Sequence, residues 1–284
     1  MGKFTGIILV SDFDGTFTSH VPENYRKNIA EIERFKNDGG IFTFATGREY
    51  HSLSIVEPDF ENIINGPVIM ANGARLYDPD KKEYIVNYTL NAVLFSEFLD
   101  IIYEKFPEIG IRFSCEGGFV TPRLNQILKN DLGDILLKEI PIREINTKDL
   151  IDSGETVYKC VLVHDPEILE CVREIAKDFN ENNNNEFFFS KTYARGLEAI
   201  HKNASKNTLA KRLKEYLNVR DSREYKLFAI GDYDNDYEMI KFADLGAAPE
   251  NALDHVKQAA KVHTVSCDDG AVADFIKIIE REYV

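Results

Sequence analysis

The sequence predicts an α/β protein: a doubly wound parallel sheet interrupted by a second, α+β unit. Three observations carry that expectation. Short apolar runs at 7–10, 41–45 and 226–230 each stop at a polar cluster containing glycine, as strands buried on both faces do. Between the first two runs, Pro22 opens and Gly39-Gly40 closes a segment whose Asn28, Ile29, Ile32 and Phe35 recur at helical spacing. The middle third of the chain has a different texture, with hairpin and helix signals in place of the strand–helix alternation.

Strand, helix, strand is the parallel unit in which ligands gather at the carboxyl ends of the strands. It resumes after 226–230 with a helical stretch to about 243, strand-like runs at 245–248 and 262–265, and a helix at 271–282. In the middle, the turn cluster 77–82 joins two strand-like runs. Helices are expected at 91–106 and 166–180, strands at 111–113, 157–163 and 187–189, and a polar loop at 182–185. The expected organisation is a core of 1–87 with 191–284 and an inserted unit of 88–190, without internal repeats.

A chain of 284 residues has interior enough for two domains. Its 44% apolar and 29% charged fractions are those of a globular protein, not a disordered polymer or a membrane bundle. Lys and Arg number 34 against 48 Asp and Glu, so the net charge of −14 repels nucleic-acid backbones. An anionic ligand must therefore meet local cations, backbone amides or a metal. The apolar run 7–10 is too short to cross a bilayer, and no membrane partner is expected. Cys115, Cys160, Cys171 and Cys267 lie far apart without a CxxC pair, which suits free thiols in a reducing, cytoplasmic setting better than a zinc site.

The chemistry concentrates at the strand ends. Asp12 and Asp14 follow the first strand; two close carboxylates repel, and a hard divalent ion such as Mg²⁺ offsets that cost. Asp232, Asp234 and Asp236 follow another strand, with Asn235 among them. Neither set is a calcium loop of the EF-hand kind, because Phe17 and Tyr237 stand where that loop needs glycine. Alone, each acid reads as a turn former, Thr46 as a strand-end cap and Lys206 as a solvated cation.

Their order is more specific. Asp12-Phe13-Asp14-Gly15-Thr16, then Thr46-Gly47-Arg48, then Lys206, then Gly231-Asp232 with Asn235-Asp236, closely resembles the four signatures of the haloacid dehalogenase-like (HAD) hydrolase superfamily. The long insertion after the second signature, preceded by Asn72-Gly73-Ala74, is similar to the Cof-type branch with a type IIB (C2) cap. That resemblance covers essentially the whole chain and implies a Rossmann-like, HAD-like core.

It also implies roles. Asp12 is expected to attack phosphorus and form an aspartyl phosphate, and Asp14 to protonate the departing alkoxide and later accept a proton from water. Mg²⁺ is expected on the Asp12 and Asp232 carboxylates and the Asp14 backbone carbonyl. Phe13 (through its amide), Thr46, Gly47, Lys206 and Asn235 are expected to bind the phosphoryl group, and Asp236 to orient Lys206 or a water on the metal. Asp234 reads as a helix cap, and Arg48 receives no role.

The implied activity is a Mg²⁺-dependent phosphatase of small phosphomonoesters, sugar phosphates foremost, with a small phosphorylated metabolite as partner. The alternatives are a sugar phosphomutase, or a signalling module that is itself phosphorylated on aspartate. Candidate cap residues for substrate selection are Arg112, Glu116, Arg123, Lys159, Tyr193 and Arg195. Two departures from the branch stand out. Asn207 follows the third-signature lysine where glycine is usual, and asparagine tolerates a left-handed backbone there. Pro249-Glu250 replaces the usual Met-Gly pair before Asn251-Ala252, a segment expected near the rim of the site.

Overall fold

The computed structural model describes residues 2–284. The chain forms two compact units: residues up to Gly47 with Glu57–Val86 and Ser205–Val284, and Arg48–Val56 with Asn87–Ala204. In chain order the strands are β1 (Ile7–Ser11), β2 (Ile41–Phe44), β3 (Val68–Met70), β4 (Arg75–Asp78), β5 (Glu83–Asn87), β6 (Gly110–Cys115) and β7 (Gly118–Thr121). They continue with β8 (Ile142–Glu144), β9 (Val157–Val163), β10 (Phe187–Tyr193), β11 (Gly196–His201), β12 (Lys226–Ile230), β13 (Leu245–Pro249) and β14 (Val262–Thr264).

The first unit is built on a parallel sheet in the order β14-β13-β12-β1-β2. All of β1 and β2 is buried, which is why both read as unbroken apolar runs rather than alternating ones. Helix Pro22–Asn37 packs on Ala271–Glu282, and Lys206–Arg220 on Tyr237–Phe242, so the sheet is wound on both sides. Phe13, Phe17, Phe42 and Phe44 fill the interior with ring centroids about 5 Å apart. Each such ring is worth roughly 2–3 kcal/mol in water-excluded area. Strands β3-β4-β5 form a smaller sheet, joined to the main one by a parallel bridge between Ala45 and Ile69.

The second unit is a six-stranded sheet ordered β10-β11-β9-β6-β7-β8, antiparallel except between β7 and β8. Strand β9 shows how its two faces are used. Cys160 and Leu162 join the cluster formed with Phe95, Phe98, Ile102 and Leu169 of the helices Ala92–Lys105 and Pro166–Asn182. Val161 and Val163 point the other way, toward Leu128 and Leu132 of Gln126–Glu139. That is the period of two that a strand imposes.

Three features depart from the sequence reading. The strand expected at 187–189 runs on to Tyr193 and pairs with β11, which the sequence reading did not find, so the chain stays in the second unit past residue 190. β11 escaped because Glu198 interrupts its apolar pattern. The short β7 and β8 were likewise not expected, nor was helix Gln126–Glu139, which is broken by Gly133 at φ +69°. Among the described residues no helix is long and apolar enough to cross a membrane.

Candidate functional site

The ladder between β1 and β12 brings their ends level. Ser11 faces Ile230, and the Asp12 amide still donates to the Ile230 carbonyl at 2.9 Å, so Asp12 is the last residue held by the sheet. The chain then makes a tight turn through Phe13–Phe17, with Asp14 extended and Gly15 at φ +77°. Glycine is required at that place twice over. The backbone is left-handed, and a Cβ would lie 2.7 Å from Asp232 Oδ2. Thr16 Oγ1 donates to Asp232 Oδ1 at 2.8 Å, tying this turn to the end of β12. Asp12 is buried and Asp14 exposed.

Lys206 arrives from a helix start. Ser205 caps Lys206–Arg220 by accepting from the Thr208 amide at 2.9 Å, which fixes where the first helical residue points. Lys206 Nζ donates to Asp12 Oδ1 at 2.5 Å and to Asp236 Oδ1 at 2.7 Å, and the side chain is 1% exposed. Asp236 uses its other oxygen to accept from the amides of Asp232 and Tyr233 at 3.1 and 3.2 Å. Oxygens of Asp12, Asp232 and Asp236 all lie within 4.8 Å of one another.

Burial first, and then the Asp236 charge, hold the Asp12 carboxyl well above the usual range, against the pull of Lys206. Burial and Asp236, in the same order, push Asp232 up to about 6. Burial works against the Lys206 ammonium, but the charges of Asp12 and Asp236 outweigh it and raise its pKa. Three carboxylates facing one ammonium is an excess of negative charge in hard oxygen donors, a set that suits a divalent cation.

Beside this cluster, the Asn72 amide donates to the Thr46 carbonyl at 3.0 Å, and the Asn72 side chain lies where a Cβ on Gly47 would be, 3.0 Å from its Nδ2. Asn235 Nδ2 donates to Asn72 Oδ1 at 2.9 Å, while Asn235 Oδ1 is buried with no hydrogen-bond partner. Asn72 thus joins the loops after β2 and β12. The sequence reading had it only in the Asn72-Gly73-Ala74 signature; a left-handed φ of +54° explains why that place carries asparagine.

Two readings are corrected. Asp234 does not cap a helix: it pairs with His255 at 2.7 Å on the surface, and Asp236 accepts from the Tyr233 amide in its place. Asn207 is not left-handed but helical, in the first turn of Lys206–Arg220, so its tolerance of positive φ is not called upon. Arg48 belongs to the second unit.

In that unit the candidate selectivity residues divide. Lys159 and Glu198 form a pair at 3.0 Å, 4% and 5% exposed. Arg112 lies over the Phe119 ring at 4.4 Å and 3.9 Å from Asp131, which accepts from the Tyr193 hydroxyl at 2.6 Å. Glu116 accepts from the Tyr158 hydroxyl. Arg123 bonds the Pro107 carbonyl and Arg195 pairs with Asp165, both exposed. Glu198 and Asp131 were not expected from sequence, since only the fold places them against Lys159 and Tyr193.

Comparison with known proteins agrees with this architecture. The model of the haloacid dehalogenase-like hydrolases matches residues 9–276, and the chain belongs to that family. Within it, the chain is an enzyme of the phosphatase class. It is 24% identical to the 5-amino-6-(5-phospho-D-ribitylamino)uracil phosphatase YitU of Bacillus subtilis, over 95% of this chain and 96% of that one. A haloacid dehalogenase-like hydrolase from Bacteroides thetaiotaomicron superposes with a TM-score of 0.74 at 25% identity, covering 96% and 99% of the two chains. The subclass IIB sugar phosphatase BT4131 shares the fold with a TM-score of 0.76 at 20% identity, over 96% and 98%.

Proposed function

We propose that the protein is a Mg²⁺-dependent phosphatase that hydrolyses small phosphomonoesters, sugar phosphates foremost, through an aspartyl phosphate on Asp12. The observation that carries this reading is the buried Lys206 bridging Asp12 and Asp236, with Asp232 alongside. The ammonium pulls against the burial and the Asp236 charge that favour the protonated Asp12, and it offers a positive charge to an incoming phosphoryl group.

In the first step an Asp12 oxygen bonds to phosphorus, the ester P–O bond breaks, and Asp14 gives its proton to the departing oxygen. In the second, Asp14 takes a proton from water, the water oxygen bonds to phosphorus, and the acyl phosphate bond breaks to free inorganic phosphate and the Asp12 carboxylate. Thr46, Gly47, the Phe13 amide, Asn235 and Lys206 bind the phosphoryl oxygens. Asp236 holds Lys206 in place. Asp12, Asp232 and the Asp14 carbonyl would hold Mg²⁺, which when bound neutralises charge on the transferring group.

The second unit is proposed as the cap that selects the leaving group. The sugar-phosphate class is supported by the phosphoribityl compound in the name of the Bacillus subtilis relative. A cytoplasmic site of action is supported by four cysteines that form no disulfide.

The test is Asp12→Asn, assayed with p-nitrophenyl phosphate and Mg²⁺. A loss of kcat of at least about 10⁴-fold is expected of a variant lacking its nucleophile. Undiminished hydrolysis with an unchanged circular dichroism spectrum would overturn the reading.

A further inference from the structure

Asn251, exposed between β13 and helix Asp254–Ala259, makes two hydrogen bonds to backbone in two different loops. Its Nδ2 donates to the Gly15 carbonyl at 2.8 Å, and its Oδ1 accepts from the Cys267 amide at 2.8 Å. The orientation of the side-chain amide is dictated by its partners, one an acceptor and the other a donor. The neighbouring Leu253 amide donates to the Asp232 carbonyl at 3.0 Å, so the segment after β13 also reaches the loop after β12.

Gly15 is held at its other end as well, since its amide donates to Thr18 Oγ1 at 3.2 Å. The Thr18 bond thus holds the peptide before Gly15, which carries the Asp14 carbonyl, and the Asn251 bond holds the peptide after it, so both sides of a residue at φ +77° are tied. Glycine is the residue whose backbone would otherwise wander most.

We propose that Asn251 is a positioning residue: by clamping the Gly15 carbonyl to the loop before Cys267, it sets the direction of Asp14 and so the proton transfer to the leaving group. This rests on the acid role given to Asp14 above. Asn251 does not touch the reacting atoms, and its loss acts only through Asp14. A shift of the Asp14 carbonyl, a proposed Mg²⁺ ligand, would slow both kinds of ester alike, so the mark of a misdirected Asp14 carboxyl is an additional loss on esters whose leaving oxygen needs a proton. An aryl phosphate with a stable phenolate needs little help, whereas an alkyl phosphate depends on it.

The experiment measures kcat/KM for p-nitrophenyl phosphate and for glucose 6-phosphate, or another alkyl phosphate that the wild type turns over. The Mg²⁺-loaded proteins compared are wild type, Asn251→Ala, Asp14→Asn and the double variant. Loss of one aligning hydrogen bond is expected to cost the alkyl ester about tenfold more than the aryl ester. That extra loss is expected to vanish in the Asp14→Asn background. Asn251→Asp, which keeps the acceptor for Cys267 and removes the donor to Gly15, is expected to show the same bias and serves if the alanine variant folds poorly.

Equal losses on both esters, no loss on either, or a bias that survives without Asp14 would each overturn the proposal. A failure of Asp14→Asn itself to discriminate between the esters would instead overturn the acid role of Asp14. The two failures are read from different variants.

Discussion

Lys206 and Lys159 are both buried, one in each unit, and both meet carboxylates, but their settings differ. Lys159 lies mid-strand on β9 and reaches Glu198 on the adjacent β11, 39 residues away, through ordinary sheet geometry. Lys206 lies at a helix start and meets Asp12 and Asp236, 194 and 30 residues away, where two strands have just left their sheet. The first arrangement matches an anion to a cation. The second sets Asp12, Asp232 and Asp236 against a single ammonium, an imbalance of hard oxygen donors that suits a divalent cation.

The comparison can be broken most forcefully at Lys206. Lys206→Met is expected to lower kcat/KM for p-nitrophenyl phosphate about 10³-fold through loss of a preorganised charge. It is also expected to cost about 3–5 kcal/mol in metal-free stability by leaving Asp12 and Asp236 uncompensated. Activity within a few fold of wild type would show that the imbalance has no catalytic meaning.

The metal sharpens the contrast next. Asp232 is protonated more readily in the folded protein, up to about 6, than in the unfolded chain, with its ordinary 3.8. Without metal its contribution to stability is present in full below pH 3.8 and is lost as pH rises through 6. Mg²⁺ competes with that proton, so at saturation it is expected to raise Tm by about 5 °C or more above pH 6 and progressively less below it. Differential scanning fluorimetry across pH checks this, and Asp232→Asn is expected to abolish the shift. A pH-independent shift, or one that persists in the variant, would place the ion elsewhere.

The smallest effect is expected in the second unit. Replacing the matched pair together, Lys159→Met with Glu198→Leu, is expected to leave the unfolding free energy within about 1 kcal/mol of wild type, because an apolar pair of similar size recovers what the ions lose. Urea midpoints decide it. A much larger loss would mean that Lys159 and Glu198 answer to more than each other.

What the sequence showed follows from the same difference. Strands β1, β2 and β12 were legible because parallel strands buried on both faces leave no polar gaps, and the residues that end them are those proposed to carry the chemistry. β11 was not legible, since Glu198 is a charge in a buried strand whose pairing with Lys159 on β9 no local pattern records. Gln126–Glu139 was hidden by an internal Gly133. Asn72 and Asn251 escaped as site residues for another reason: each matters through a hydrogen bond to a loop at least 160 residues distant, Asn235 and Gly15 respectively. No local pattern records such a contact. The segment Arg48–Val56 joins the second unit through contacts distant in sequence, such as the His51 ring against the Glu116 carbonyl at 3.2 Å, which composition does not reveal.

The pairing of β1 with β12 works as a vernier. Ser11 and Ile230 are opposite one another, so Asp12 and Asp232 emerge within a residue of the same height. Deleting or inserting a single residue in either strand would offset the two by about 3.3 Å, and it would also turn every side chain of that strand to the opposite face. The distance between the proposed nucleophile and the proposed cation-holding acid is therefore written in strand length.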